Sequence, residues 1–318
     1  MNLLCAQSRE LCRRWNVRNI RREQSVGERG GTVVAISVVI PMYNEQDEIA
    51  SCLDALIDQT RAADEILVVD NNSTDESAAI VAEIAAAHPT VRLIHEPEPG
   101  CHAARAAGYD AASGDVIART DADTRVDSRW VEAIESFFTS ERGAEFAAVG
   151  GVATMYEVPP FPMFAERPLP AAAADGIEVS SFSGPNHALR KTAWHAVRDS
   201  VTRRQDVWED FDLSLALTER GKKIFLDPNM KVKTSVRTLR ASPIRNLRYI
   251  TGNVRTVKAR GASASTIRAA RVNALVRFGS FTWLWLLIRP WDEDTRTWRP
   301  HRLLRRPSDL HDDVTKVR

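Results

Sequence analysis

Hydrophobic and polar positions fall in blocks along this chain. From residue 35, "AISVVI" is a run rich in β-branched residues that stops at Pro41. Such a run has the length and composition of a strand buried on both faces. "DEIASCLDALIDQ" then places Ile49, Leu53, Leu56 and Ile57 at helical spacing. The pattern repeats. "EILVVD" predicts a second buried strand, and "NNSTDESAAIVAEIAAA" a helix opened by a Ser or Thr cap. "VRLIH" predicts a third strand, "CHAARAAGYDAA" a third helix and "DVIART" a fourth strand. Strands alternating with helices in this way predict an α/β fold, a mostly parallel sheet flanked by helices.

The rhythm then loosens. "SRWVEAIESFF" predicts a helix and "AAVGGVATMY" a fifth strand; residues 157–176 hold five prolines and an alanine run. Long loops of that kind are functional or mobile. "HALRKTAWHAV" follows, then "WEDFDLSLALTERG", a helix stopped by Gly221. Two short strands, "KIFL" and "VKTSV", come next, and basic helices from about residue 243. Residues 1–34 end in "GERGGT" and read as a flexible basic extension, on which Leu4, Leu11 and Trp15 can share one helical face among arginines.

Charge divides the chain further. Residues 231–318 hold 20 Lys and Arg against 6 Asp and Glu, and residues 1–35 hold 7 against 3, although the net charge is only +1. The middle of the chain is therefore strongly acidic. Basic ends on an acidic body point to contact with something anionic such as a membrane surface, or simply to solvated basic helices. "FGSFTWLWLLI", 278–288, lies between Arg277 and Arg289 and is far short of the ~20 residues needed to span a bilayer. With Trp283, Trp285 and Trp291 it fits an interfacial helix, a helix packed on the body, or a dimer contact. Cys5, Cys12, Cys52 and Cys101 form no C-x-x-C pair and read as free thiols in a reducing cytosol. The first residues do not read as a signal peptide. These features predict a cytoplasmic location, at the inner face of the plasma membrane if the tail docks there.

Candidate chemistry gathers where the predicted strands end. In an open parallel sheet, ligands bind at the carboxyl ends of the strands. Pro41, Tyr43, Asn44 and Glu45 follow the first strand; Asp70, Asn71 and Asn72 end the second; Asp121 and Asp123 follow the fourth. A tyrosine ring can stack on a base, and a carboxylate or amide can accept from a base or a ribose hydroxyl. Arg105 offers a diphosphate a planar fork of donors. Asp121 and Asp123 are hard oxygen ligands for Mg²⁺ or Mn²⁺, which binds through one or two carboxylates plus substrate phosphates. These are parts of a nucleotide-sugar site.

Together the motifs resemble those of the family 2 glycosyltransferases, inverting enzymes of the GT-A fold. "VVIPMYNE" and "ILVVDNNSTD" are similar to that family's two nucleotide motifs, "GCHAARAAG" to its G-x-x-x-A-R-x-x-G segment, "ARTDADT" to its D-x-D and "WEDFDLSLAL" to its E-D motif. The resemblance covers roughly residues 36–236. It implies a base and ribose site at Pro41, Tyr43, Glu45, Asp70 and Asn71, with Arg105 facing the diphosphate. It implies Asp121 at the sugar or ribose, a metal at Asp123 with Asp121 beside it, and Asp210 as the general base. Asn186, Trp208 and Glu209 would lie on the acceptor side. The implied partners are a nucleotide-diphospho-sugar and a hydroxyl acceptor, lipid-linked if the tail meets a membrane, with no nucleic acid.

The expected domains are a glycosyltransferase body over 35–240, with its nucleotide-sugar half at 35–127 and its acceptor half at 128–240, and a basic helical region over 241–318. Two departures stand out. Asn71 stands where many relatives carry Asp. Thr234, Ser235 and Arg237 stand where many supply a metal-binding histidine. His187, in "SGPNHALR", is read as shaping the acceptor pocket or capping a turn. The rival readings are a sugar-nucleotide nucleotidyltransferase and an inactive sugar-nucleotide-binding protein. The first wants a Gly-rich basic loop, but "PMYNEQDE" is acidic and has no glycine. The intact Asp121, Asp123, Arg105 and Asp210 disfavour the second.

Overall fold

The computed structural model describes residues 34–166 and 169–304. The extension read from residues 1–34, with Cys5 and Cys12, lies outside them but for Val34. Nine strands form one sheet: β1 (Ile36–Met42), β2 (Glu65–Asp70), β3 (Val91–His95), β4 (Val116–Arg119), β5 (Thr124–Val126), β6 (Ala148–Met155), β7 (Ile177–Val179), β8 (His187–Arg190) and β9 (Ile224–Thr234). Their order is β3-β2-β1-β4-β8-β6-β9-β5, with β7 also on β9. β1 pairs in parallel with β2 and β4, β2 with β3, and β6 with β9. β8 is antiparallel to β4 and β6, and β5 and β7 are antiparallel to β9. Among the described residues four pairings are parallel and four antiparallel, but the parallel ladders are the longer on the whole, so most paired residues lie in parallel ladders, as the alternation of strand and helix predicts.

Six helices accompany these strands: α1 (Ile49–Ile57), α2 (Ser77–Ala87), α3 (Cys101–Ala111), α4 (Trp130–Thr139), α5 (Lys191–Val197) and α6 (Glu209–Glu219). The central strands are buried on both sides because their residues feed two cores. Ile36, Val38 and Ile40 of β1 face one cluster, with Ile49, Leu53 and Leu56 of α1, Val81 of α2 and Trp130 of α4. Val39, Leu67 and Val69 face the other, with Tyr109 of α3, Trp194 of α5 and Leu213 of α6. A period of two along each strand separates the sets.

The sequence divides β9 into two strands, but the structure makes it one. Asp227 pairs with Gly151, and the next pairing is Lys231 with Val152, so Pro228, Asn229 and Met230 form a bulge. Pro228 and Asn229 look like a break in the sequence, yet a bulge tolerates a residue without a ladder N–H. Asn229 is held there by Asp227 Oδ1, which accepts its backbone N–H at 2.8 Å. Gly151 is required opposite, because a Cβ would lie 2.2 Å from the Met230 carbonyl oxygen.

After β9 come α7 (Arg237–Arg240), α8 (Leu247–Ile250), α9 (Gly252–Ala259) and α10 (Ala264–Ile288). The aromatic stretch 278–288 is the last part of α10, a helix of 25 residues capped by the Ser263 side chain. Among the described residues, no helix is long and apolar enough to cross a membrane. Ile288 packs with Val236 and Leu239, tying the end of α10 to α7.

Candidate active site

The turns after β1 and β2 are laced together. Met42 pairs with Asp70, and Asn71 N–H donates to the Met42 carbonyl at 2.8 Å. Asn44 adopts a left-handed φ of 53°, in which its Oδ1 accepts the Thr74 N–H at 2.8 Å. This leaves Tyr43 projecting, 57% exposed, above half-buried Pro41. Asp70 is buried at the floor, where its Oδ1 accepts the Ser73 N–H at 3.2 Å and Oδ2 lies 3.4 Å from His95 Nδ1.

Asn71 does not present its amide to this edge. Its Nδ2 donates to the carbonyls of Glu96 and Glu98 at 2.9 and 2.7 Å, and its Oδ1 accepts the Gly100 N–H at 2.6 Å. The side chain braces the 96–100 turn, which Gly100 leaves at φ 127° before α3. That explains an amide at this position: a carboxylate could not donate to two carbonyls.

Across the edge, the segment after β4 turns at Asp121, whose carbonyl accepts the Thr124 N–H, and then forms β5. Asp123 is held in place through its backbone carbonyl, which accepts from Ser235 N at 3.2 Å and from the Tyr156 hydroxyl at 2.9 Å. Its carboxylate lies 3.4 Å from Arg237, which also pairs with Glu45 at 2.6 Å. Burial and then the neighbouring Asp121 push Asp123 up to about 6, with Arg237 opposing. The residue standing in the expected histidine's region therefore brings its own positive charge to these carboxylates.

The residue that organises the cleft is one that no sequence motif singles out as functional. Arg119, at the end of β4, is almost fully buried. Its Nη2 donates to Asp121 Oδ1 at 2.7 Å, and Nη1 lies 3.0 Å from Glu209 Oε1. A single guanidinium thus bridges the aspartate after β4 to the first turn of α6. Arg105, 1% exposed, reaches the same turn from α3 and donates to the Glu209 carbonyl at 2.6 Å. The signal for Arg119 is a lone arginine closing an otherwise apolar strand, "VIAR". Such a charge needs a buried partner.

Glu209 and Asp210 sit side by side at the start of α6 but have different environments. Burial pushes Glu209 up, but Arg119 and Arg105 outweigh it and hold its carboxyl well below the usual range. Asp210 is pushed up to about 6 by burial and by the charge of Glu209. Its two oxygens accept the N–H groups of Phe211 and Gly184, both at 2.8 Å. Gly184 admits this approach: a Cβ there would lie 2.9 Å from Arg119 Nη1 and 3.4 Å from Asp210 Oδ2. Two adjacent carboxylates whose ionisation is driven apart suit separate roles.

Trp208 forms the neighbouring wall. Its indole N–H donates to the Tyr249 carbonyl at 2.8 Å, and its ring lies 5.8 Å from that of Tyr249. Gly252 lets the indole in, since a Cβ there would be 2.2 Å from Nε1. The Arg277 guanidinium lies 4.3 Å over the Trp208 ring. Tyr249 and Arg277 come from the C-terminal helices and carry no motif to announce them. Asn186, expected on the acceptor side, is completely buried instead. Its Oδ1 accepts from Trp130 Nε1 at 2.8 Å, and its Nδ2 donates to the carbonyls of Val152 and Met230 at 3.0 and 2.9 Å, so it supports the β6–β9 bulge. His187 is likewise internal, stacked on Phe182 at 4.1 Å and bonded to the Tyr109 hydroxyl at 2.7 Å. Burial and Arg119 push it down to about 3, so it stays neutral.

Comparison with known proteins identifies the family. A family model described as Glycosyl transferase family group 2 matches residues 116–298, and one described as Glycosyl transferase family 2 matches residues 37–163. The chain belongs to the family 2 glycosyltransferases. This glycosyltransferase is 41% identical over 91 residues to the uncharacterized glycosyltransferase YibD of Escherichia coli, 29% of this chain and 26% of that one. It is 40% identical over 93 residues to an undecaprenyl-phosphate 4-deoxy-4-formamido-L-arabinose transferase of Pseudomonas fluorescens, 28% of this chain and 27% of that one. The matches thus span about a quarter of those relatives' lengths. The mannosyltransferase PcManGT of Pyrobaculum calidifontis, solved with GDP-Man and Mn²⁺, superposes with a TM-score of 0.59 at 20% identity, covering 87% of this chain and 81% of that one. This likeness shows that the glycosyltransferase has the GT-A fold.

Among the described residues, no three His, Cys, Asp or Glu side chains converge to hold a metal alone. The donors nonetheless suit a hard cation shared with a phosphorylated ligand. Asp121 Oδ2 and Asp123 Oδ1 take no hydrogen bond among the described residues, and Glu45 Oε2 is buried without a partner. Oxygen donors in excess of their partners, at a strand end, are what Mg²⁺ or Mn²⁺ uses.

Proposed function

We propose that this glycosyltransferase moves a sugar, with inversion, from a nucleotide-diphospho-sugar to an acceptor hydroxyl, with Asp210 as general base. The observation carrying this reading is Arg119. It joins Asp121, on the side where the β1 and β2 turns offer a nucleotide site, to the helix turn that holds Asp210. Donor and acceptor sides are thereby fixed to one guanidinium. Direct displacement at the anomeric carbon needs a base opposite the leaving group, and a carboxylate near 6 accepts a proton at neutral pH while remaining ionised beforehand. Tyr43 would stack on the base, and Pro41, Glu45 and Asp70 would line the base and ribose. Asp123 and Asp121 would hold Mn²⁺ or Mg²⁺, which when bound neutralises charge on the diphosphate. Two of the structural neighbours, PcManGT and GalNAc-T7, were solved with Mn²⁺, which supports the expectation.

The acceptor reading is lipid-linked, with the protein peripheral to a membrane. On α10, Val272, Leu275, Val276, Trp283 and Leu286 are exposed and fall on one side of the helix, with Arg268 and Arg271 beside them. An apolar stripe edged by arginine suits an anionic lipid interface, to which each basic residue contributes about 1 kcal/mol. The undecaprenyl-phosphate transferase among the relatives agrees with that acceptor class. The test is thermal stabilisation of the purified chain by UDP-, GDP- and dTDP-sugars with and without Mn²⁺, followed by nucleoside diphosphate release on addition of acceptor. Stabilisation by no nucleotide sugar would end the reading.

A further inference from the structure

Arg277 has a setting that the donor chemistry leaves unexplained. It lies on the side of α10 opposite the exposed stripe, with its guanidinium stacked on Trp208 at 4.3 Å. Its Nε is buried with no hydrogen-bond partner, and the side chain makes no ion pair within 4.0 Å among the described residues. The fields of Tyr249 and Asp210 reach it, but neither is bonded to it. Burial lowers its pKa. Desolvating a guanidinium without giving it an anion is costly. Stacking on tryptophan recovers part of that cost and leaves the guanidinium edge, with its forked N–H donors, available to a ligand.

We propose that Arg277 is the receptor for a phosphate group carried by the acceptor. This deepens the glycosyl-transfer reading and rests on it. The position suits that role. Trp208 directly precedes Glu209 and Asp210, so a phosphate held against the stacked guanidinium lies beside the base; the attacking hydroxyl is then the phosphate's own P–OH, which gives its proton to Asp210 as the new C–O bond forms and the nucleoside diphosphate leaves. A phosphate matches the planar fork and gives bidentate contact. The neighbouring surface bears on the rest of the acceptor. Tyr249, whose ring lies 5.8 Å from that of Trp208, is 50% exposed, and Ile244 and Leu247, shortly before it in the chain, are 78% and 48% exposed. Arg245 and Arg248 alternate with them and are exposed too. Apolar contact beside a phosphate receptor fits a lipid phosphate better than free phosphate or a soluble phosphosugar.

The test is calorimetric titration of the full chain with farnesyl phosphate, farnesol and inorganic phosphate. The wild-type chain should bind farnesyl phosphate at least tenfold more tightly than either of the others. Arg277→Gln should abolish the preference for farnesyl phosphate over farnesol, and Arg277→Lys, which keeps the charge without the fork, should retain part of it. Should the Gln variant fail to fold, the Lys variant and the wild-type preferences still decide. Equal binding of farnesyl phosphate and farnesol by the wild type overturns the proposal, as does a preference that survives Arg277→Gln. Equal binding of inorganic and farnesyl phosphate overturns the lipid assignment. Stabilisation of the wild type by nucleoside diphosphates with Mn²⁺ is measured alongside. If it is present while the phosphate preference is absent, only the acceptor proposal fails; if it is absent, the donor reading fails.

Discussion

Replacing Asp210 by Asn should separate chemistry from folding, and the structure sets both magnitudes. The carboxylate accepts two backbone N–H bonds, one from Phe211 and one from Gly184. Asparagine offers one acceptor oxygen and turns an amide toward the other donor. One buried hydrogen bond is lost, at a cost of about 1–3 kcal/mol. Relief of the repulsion with Glu209 offsets part of that. The melting temperature should therefore fall by only a few degrees, at roughly 2–4 °C per kcal/mol. Turnover should fall by ~10²-fold or more, because no group remains to take the acceptor proton. The wild type carries its own check. With Asp210 near 6, the base is about one-tenth ionised at pH 5 and about nine-tenths at pH 7, so kcat should rise about tenfold across that interval and then level off. The assay is initial-rate release of nucleoside diphosphate at saturating donor and acceptor, with circular dichroism melts of both proteins. A flat profile between pH 5 and 7, or near-normal kcat in Asp210→Asn, refutes the assignment and moves the role to Glu209 or Asp212.

Chelation with EDTA should abolish transfer and Mn²⁺ or Mg²⁺ restore it, while Asp123→Ala should be inactive yet folded; full activity in excess EDTA would exclude a metal. Arg237→Met removes the cation shared by Glu45 and Asp123, so Mn²⁺ titrated calorimetrically should bind about tenfold more tightly, roughly 1.4 kcal/mol for one lost charge contact. Arg119→Met strands the carboxylates of Asp121 and Glu209 and should cost about 3–5 kcal/mol in urea unfolding. Co-sedimentation with anionic vesicles should weaken on Trp283→Ala with Leu275→Ser and at high salt; a chain that stays in the supernatant at low salt would show that this face does not dock.

What is legible in the sequence is local. The buried strands β1, β2 and β4 stand out because burial on both faces leaves continuous apolar runs, and the three strand-end clusters because polar residues interrupt those runs. What depends on partners distant in the chain does not show. Asn186 is expected on the acceptor side, but its amide is satisfied by Trp130 and by the bulge of β9, and neither contact leaves a mark in local spacing. Asn71 looks like a weakened acidic reader and is a brace, because the two carbonyls it serves arrive from 25 and 27 residues away. Tyr249 and Arg277 reach Trp208 across 41 and 69 positions. The divided reading of β9 fails because a proline in a bulge and a proline between strands give the same string of letters.

The wall around Trp208 draws on a different part of the chain from the strand-end clusters. The proposed donor edge is assembled from β1, β2 and β4, near the start of the chain, whereas Tyr249 and Arg277 belong to the C-terminal helices and, among the described residues, pack on Trp208, just before Glu209 and Asp210. On the acceptor assignment proposed above, substitutions in α8 and α10 would reshape what is glycosylated while the edge formed by β1, β2 and β4 keeps its geometry. On that assignment, grafting residues 241–304 between such enzymes would exchange the tool bit while leaving the handle intact.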